Sequence, residues 1–300
     1  MDAPRLDDPR HIGPHIVLGR LGDELGHSAG ERRFVVRSAD GATLLARLPR
    51  ADVDPTRWAI EAEGARRLSV SGFLAVDEVG GGPAELPWCT APYVPALPLP
   101  DALRAHGGPL PDPVVRALGA ALARTLATAH ARGVPHAGLS PAAVLLTTDG
   151  PRLRCFGAVR AAAPDGEPRS GLPGLDSGAL APEQAAGGPP RPPGDVYALG
   201  AVLAYAATGH TVPERDELPS FLREPVTACL SRDPERRPQA YELLALLEPT
   251  APTVVHEATV LDTATPTPIP LPASVVVALA HQSAQVLAAE LPVPASRTRH

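Results

Sequence analysis

Val134-Pro-His-Ala-Gly-Leu-Ser-Pro-Ala-Ala-Val-Leu-Leu146, with Cys155-Phe156-Gly157 a short way downstream, is the stretch on which the reading of this chain turns. What it lacks is acid: between Ala131 and Pro164 the only carboxylate is Asp149, in Thr-Thr-Asp-Gly. The chain as a whole has 33 Asp and Glu, so the shortage is local and not a matter of composition. Basic residues tell a different story. All 27 of the Lys-plus-Arg class are arginine, and asparagine is absent too, a bias under which a Lys→Arg exchange carries little functional meaning.

Three hundred residues suit one two-lobed domain or two small ones, with length enough to bury a core. A formal charge of −6 and a pI near 5.9 give no pull toward nucleic acid or an anionic membrane. Cys89, Cys155 and Cys229 are odd in number and far apart, which predicts reduced thiols without metal spacing. The first residues lack the build of a signal peptide, and no apolar run approaches the roughly 20 residues of a membrane span. A soluble cytoplasmic protein is expected.

Working outward, His15 to Gly22 reads as a first strand entering a turn, and Phe34 to Arg37 and Thr43 to Leu48 as two more strands joined by a hairpin at Ala39-Asp-Gly41. Asp54-Pro55 opens a helix that runs to about Leu68. Val70 to Leu86 reads as strand and loop, and Trp88 to Val94 as a strand. Asp112 to His130 is the clearest helix, with Asp112 as its cap, Pro113 in its first turn, Gly133 at its close and an apolar stripe of Val115, Leu118, Leu122, Leu126 and Ala129. Gly194 to Gly209 is apolar all round and fit only for burial. From Glu248 the composition turns to Thr, Pro and Val, as in a linker, and Pro272 to Leu291 reads as one further helix for docking on the large lobe or on a partner.

In this order and spacing the segments resemble a protein kinase, most closely the serine/threonine kinases of high-GC actinobacteria, from about Ile16 to Leu247. That family reads His-Arg-Asp-Leu-x-x-x-Asn and then Asp-Phe-Gly. Here His136, Leu139, Pro141, Phe156 and Gly157 match, while Gly138 stands for the catalytic Asp, Ser140 for the loop lysine, Ala143 for the Asn and Cys155 for the metal-binding Asp. Ala179-Leu-Ala-Pro-Glu183 matches the Ala-Pro-Glu closing the activation segment, and Asp195 matches the aspartate that holds the catalytic loop. Arg237, in Ala228-Cys-Leu-Ser-Arg-Asp-Pro-Glu-Arg-Arg-Pro238, matches the arginine that pairs with Glu183. The resemblance implies an α+β, two-lobed fold: an arm at 1–14, a small lobe of antiparallel sheet plus C-helix at 15–93, a mainly helical large lobe at 94–248, a Pro/Thr-rich linker at 249–271 and a docking helix and tail at 272–300.

The same resemblance places a nucleotide cleft at Gly22, Leu45, Arg47, Glu61, Ala91, Val94 and Leu145. Arg47 takes the place of the strand lysine, Glu61 (or Glu63) that of its C-helix partner, and Ala91 that of the gatekeeper. Gly22-Asp-Glu-Leu-Gly26-His-Ser-Ala-Gly30 keeps glycines at the wrong spacing for phosphate and sets Asp23 and Glu24 where anionic phosphates would lie. Kinase chemistry is largely positioning and charge neutralisation, with two Mg²⁺ held by the two groups that are Cys155 and Ala143 here. With base and both metal ligands replaced, no catalytic residue and no metal are expected. His136, Phe156, Gly157, Glu183, Asp195 and Arg237 remain as architecture. The expected function is a pseudokinase, a non-catalytic scaffold or allosteric partner in phosphorylation signalling. A weak or unorthodox kinase and a sensor binding ATP without Mg²⁺ are the alternatives. Expected partners are proteins: an active kinase, or a phosphothreonine-reading domain engaging Thr259-Val-Leu-Asp262.

Overall fold

The computed structural model describes residues 7–21, 30–68, 70–82, 85–248 and 268–289. Its first unit is a six-stranded antiparallel sheet in the order β1-β2-β3-β4-β6-β5. The strands are β1 (His11–Ile12), β2 (His15–Leu21), β3 (Glu31–Arg37), β4 (Thr43–Pro49), β5 (Glu78–Gly80) and β6 (Trp88–Pro92). Alternation along β3 and β4 sends Phe34, Val36, Ala46 and Leu48 to one face, where they pack with Trp88, Val17 and Ile12. Val35 and Leu45 go to the opposite face. The sheet begins within the stretch expected as an arm at 1–14: Ile12 pairs with His15, and the buried Asp8 carboxylate accepts a 3.2 Å hydrogen bond from Arg20. Helix α1 (Pro55–Arg66) packs beside the sheet, its first turn capped by Asp54, whose carboxylate accepts from the Arg57 N–H at 2.9 Å.

The second unit is mainly helical. After β7 (Leu97–Pro98) come α2 (Leu99–His106) and α3 (Asp112–Ala131). The expected stripe of α3 is buried at every position, but the cap is not Asp112: Pro111 holds the cap position without a side-chain bond, and Asp112 lies inside the first turn. There its charge still favours the helix N-terminus. Strands β8 (Val144–Thr147) and β9 (Gly150–Leu153) form a hairpin with β7, followed by the short helices α4 (Ala158–Ala162) and α5 (Pro182–Ala185). Helix α6 (Pro192–Thr208) runs through the core, and α7 (Ser220–Cys229) and α8 (Ala240–Leu247) close the unit.

The last helix, α9 (Ala273–Leu287), turns back onto this chain's own two units. Val275 and Leu279 join the helical core, while Val286 joins Leu18, Leu21, Val35 and Leu45 on the inner face of the sheet. No described helix is long and apolar enough to cross a membrane.

Candidate functional site

The loop 134–143 and the turn 155–157 meet at the junction of the two units. Asp195, at the start of α6 and buried, accepts from the main-chain N–H of His136 at 2.7 Å and of Ala137 at 2.8 Å. It also lies 2.8 Å from Nε2 of His130. Two buried backbone donors are thereby satisfied by one carboxylate, and the loop is fixed, with Ala137 held in the left-handed region. His136 is fully buried and edge-on to Phe73 and Phe156, with ring centroids at 5.0 and 6.1 Å. Burial pushes its pKa down to about 4, so the ring is neutral and acts as a packing element.

Gly138 is the decisive residue. A Cβ built there would overlap the carbonyl oxygen of Cys155 and press on Ala158. The loop and the turn have closed on each other at the position where the family places its catalytic carboxylate, leaving no space for a side chain. Ser140 is buried and caps the short turn Pro141–Ala143 through the Ala143 N–H, and Ala143 is wholly buried. Cys155 keeps a left-handed backbone (φ 63°), a conformation that Asn and Asp tolerate better than other side chains. Gly157 is also left-handed, and a Cβ on it would overlap the Glu61 carboxylate.

The expected Arg47–Glu61 pairing does not form. Glu61 turns instead to Arg160 of α4, which donates three hydrogen bonds of 2.7–3.0 Å, while its alternative, Glu63, faces outward to Arg66 and Arg67. Arg47 lies 3.8 Å from Glu31, itself buried and held at 3.1 Å by the fully buried Arg154. One reason is local: α4 follows directly on the Phe-Gly turn and packs along α1, so Arg160 reaches Glu61 first. The other is that Glu31 points inward from β3, opposite β4, and takes the strand arginine. Glu31, Arg154 and Arg160 are the residues that the sequence reading missed. No pattern marks Glu31 as inward, since its neighbours Arg32 and Arg33 are equally charged. Arg154 next to Cys155 was the one available hint.

At the outer end of the cleft, Leu45 stands opposite Ala91 in the β4–β6 ladder, and both are buried. Leu145 is buried on β8, and Val94 is exposed. Val286 of α9 packs against Leu45, Leu18, Leu21 and Val35. Gln282, one turn earlier, accepts a 2.9 Å hydrogen bond from the Ala96 N–H in the segment joining the units. This end of the expected nucleotide cleft is therefore filled by the chain's own helix. Gly22, together with the stretch through Glu24 and Gly26, lies outside the described residues, as do Thr259 and Asp262. No group of three or more His, Cys, Asp or Glu able to hold a metal occurs among the described residues.

The remaining architectural pair is intact. Arg237, with its side chain wholly buried, donates to both carboxylate oxygens of Glu183 at 2.7 and 2.8 Å, and also to the carbonyls of Pro193 and Ser231. Arg169, another residue the sequence reading passed over, is fully buried and donates to the carbonyls of Ala163 and Gly188, tying together the segment after α4.

Comparison with known proteins gives a consistent result. The chain is 35% identical over 264 residues to the probable serine/threonine-protein kinase PkwA of Thermomonospora curvata, covering 80% of this chain and 34% of that protein. It is 33% identical over 274 residues to the serine/threonine-protein kinase AfsK of Streptomyces coelicolor, covering 83% and 33%. The chain thus spans about a third of the length of these relatives. Among solved structures, the kinase domain of PknI from Mycobacterium tuberculosis aligns with a TM-score of 0.59 at 23% identity, over 79% of this chain and 96% of that one. No protein-family model matches the chain.

Proposed function

We propose, starting from a chain that has the two-lobed protein-kinase fold and whose homologues are bacterial serine/threonine protein kinases, that it is a pseudokinase, acting as a non-catalytic scaffold or allosteric partner in serine/threonine phosphorylation signalling. The observation that carries this reading is the closure of Gly138 onto the Cys155 carbonyl. Backbone occupies the space that a side chain at this position would need, which supports a reading in which no base acts there.

Two further observations support it. The groups that neutralise phosphate charge in a kinase are metal ions on carboxylate and amide oxygens; at the matching positions stand Cys155 and Ala143, a thiol and a methyl group. Phosphoryl transfer also needs the base of a nucleotide seated between the lobes, and the packing of Val286 on Leu45 and the Gln282 bond to Ala96 at that end of the cleft weigh against such a seat. Against these losses, the supports of the loop (Asp195) and of the large lobe (Glu183 with Arg237) are complete. A loop and lobe held in place without those groups suit a role in which shape is what a protein partner reads.

The test is phosphoryl transfer from labelled ATP, with Mg²⁺ and with Mn²⁺, to the chain itself and to a basic acceptor protein, alongside a thermal-shift titration with ATP. No incorporation and no shift at millimolar nucleotide are expected. Incorporation that a Glu61→Ala exchange abolishes would overturn the proposal in favour of a weak kinase. A shift without incorporation would favour the metal-independent nucleotide sensor.

A further inference from the structure

Helix α9 is held unequally along its length. Its first half is anchored: Val275 is wholly buried and Leu279 is 2% exposed in the helical core, and the Ser274 hydroxyl lies 3.3 Å from Nδ1 of His106 on α2. Its second half reaches past that core to the sheet. Val286 and Ala289 pack there with Leu18, Leu21, Val35 and Leu45, and the Gln282 side-chain oxygen accepts from the Ala96 N–H. Around these contacts the half is open, with Ala280, His281, Ala284 and Ala288 exposed and Leu287 87% exposed.

Little in its own sequence keeps that second half helical. A helix of 15 residues is near the length below which isolated helices are marginal in water. No basic side chain stands in its last turn to meet the carbonyl end. The half is therefore ordered by docking, and a chain segment of this kind opens locally before the core does. What it covers has two parts, an apolar face of Leu18, Leu21, Val35 and Leu45 and the N–H of Ala96. Uncovered, they would be an apolar patch beside a donor that needs an acceptor. Val286 supplies the apolar body and Gln282 the acceptor. A flat uncharged heterocycle carries both features in one molecule and so competes for the same surface.

We propose that the second half of α9 is an autoinhibitory latch. It opens locally while Val275 and Leu279 keep the first half anchored, and the uncovered face then takes a flat, uncharged heteroaromatic ring with an acceptor for Ala96. Because α9 touches the helical unit, the joining segment and the sheet, the latch also sets whether the two units are strapped together. It does not depend on the pseudokinase reading, since a ring without phosphate needs neither a base nor a metal.

Amide hydrogen exchange of the whole chain, read by NMR, and calorimetric titration with adenosine test the latch. In the wild-type chain the Ala96 amide should exchange at least tenfold faster than those of Leu122 and Leu126 in the core of α3. Gln282→Ala combined with Val286→Glu removes the acceptor and sets a carboxylate against the leucines. That variant should speed Ala96 exchange at least tenfold further and tighten adenosine binding at least tenfold, and bound adenosine should slow Ala96 exchange again. Val277→Glu, on the outward side of α9 at a site 67% exposed, should change neither. Ala96 exchange as slow as that of α3 in the wild-type chain would make the contact permanent and overturn the proposal, a result read without any variant. No gain in adenosine affinity in the folded double variant overturns it too, as does an equal gain in Val277→Glu. Should the double variant not fold, Gln282→Ala alone is read in its place, and unchanged Ala96 exchange and adenosine affinity there overturn the latch.

Discussion

At position 138 the main chain and not a side chain meets the Cys155 carbonyl, so restoring a carboxylate there means displacing the Phe-Gly turn. Gly138→Asp is therefore expected to lower unfolding free energy by about 1–3 kcal/mol, the usual cost of overpacking. The triple exchange Gly138→Asp, Ala143→Asn, Cys155→Asp is expected to leave labelled-phosphate transfer undetectable. Denaturant titration and a transfer assay check the two outcomes. His136 makes a second prediction. Burial lowers its pKa from an ordinary 6.5 to about 4, so the unfolded chain binds the proton first as pH falls. Its contribution is complete above pH 6.5 and is lost progressively as pH drops toward 4, by on the order of 3 kcal/mol. Thermal midpoints measured from pH 7 to 4.5 should fall for the native chain, and His136→Phe should flatten that part of the slope.

At the level of elements, α9 is the piece whose role changed most. Its composition suited a helix that docks somewhere, and the structure supplies the surface: the α2 side of the helical unit for Val275 and Leu279, then the inner face of the sheet for Val286. Two faces of one helix can be told apart by stability. Leu279→Ala, at a site 2% exposed, should cost about 2–4 kcal/mol. Val277→Ala, at a site 67% exposed, should stay within about 0.5 kcal/mol. Equal, small effects in urea denaturation would mean that the helix is undocked in solution. Helix α4 acts in a comparable way at shorter range, since it carries Arg160 to Glu61 and so leaves Arg47 to Glu31.

Across the whole molecule, arginines do much of the joining. The buried Arg154 links the turn region to the sheet through Glu31, the half-buried Arg160 links α4 to α1, and the buried Arg237 links the segment leading into α8 to α5 through Glu183. Removing one partner of such a pair leaves the other charge buried and uncompensated. Glu183→Ala is expected to cost about 3 kcal/mol, tempered by the partial exposure of the carboxylate, and to show as a lower urea midpoint with an unchanged slope. A change in slope would mean instead that the helical unit opens separately from the sheet.

The order of strands and helices, the buried stripe of α3, the fixed loop on Asp195 and the Glu183–Arg237 pair were all legible in the sequence. Each rests on local periodicity, on a capping or turn residue, or on a motif whose spacing recurs with its fold. That Gly138 and Cys155 stand where the family's motifs carry carboxylates was legible for the same reason, since the positions could be counted. What only the tertiary structure decided is who meets whom across the cleft. Glu31 claims Arg47, Arg160 claims Glu61, the backbone fills the space at Gly138, and α9 fills the far end. Those contacts join residues far apart in the chain, and many arginines compete there for few carboxylates. Which pair forms depends on distances that a one-dimensional pattern does not contain.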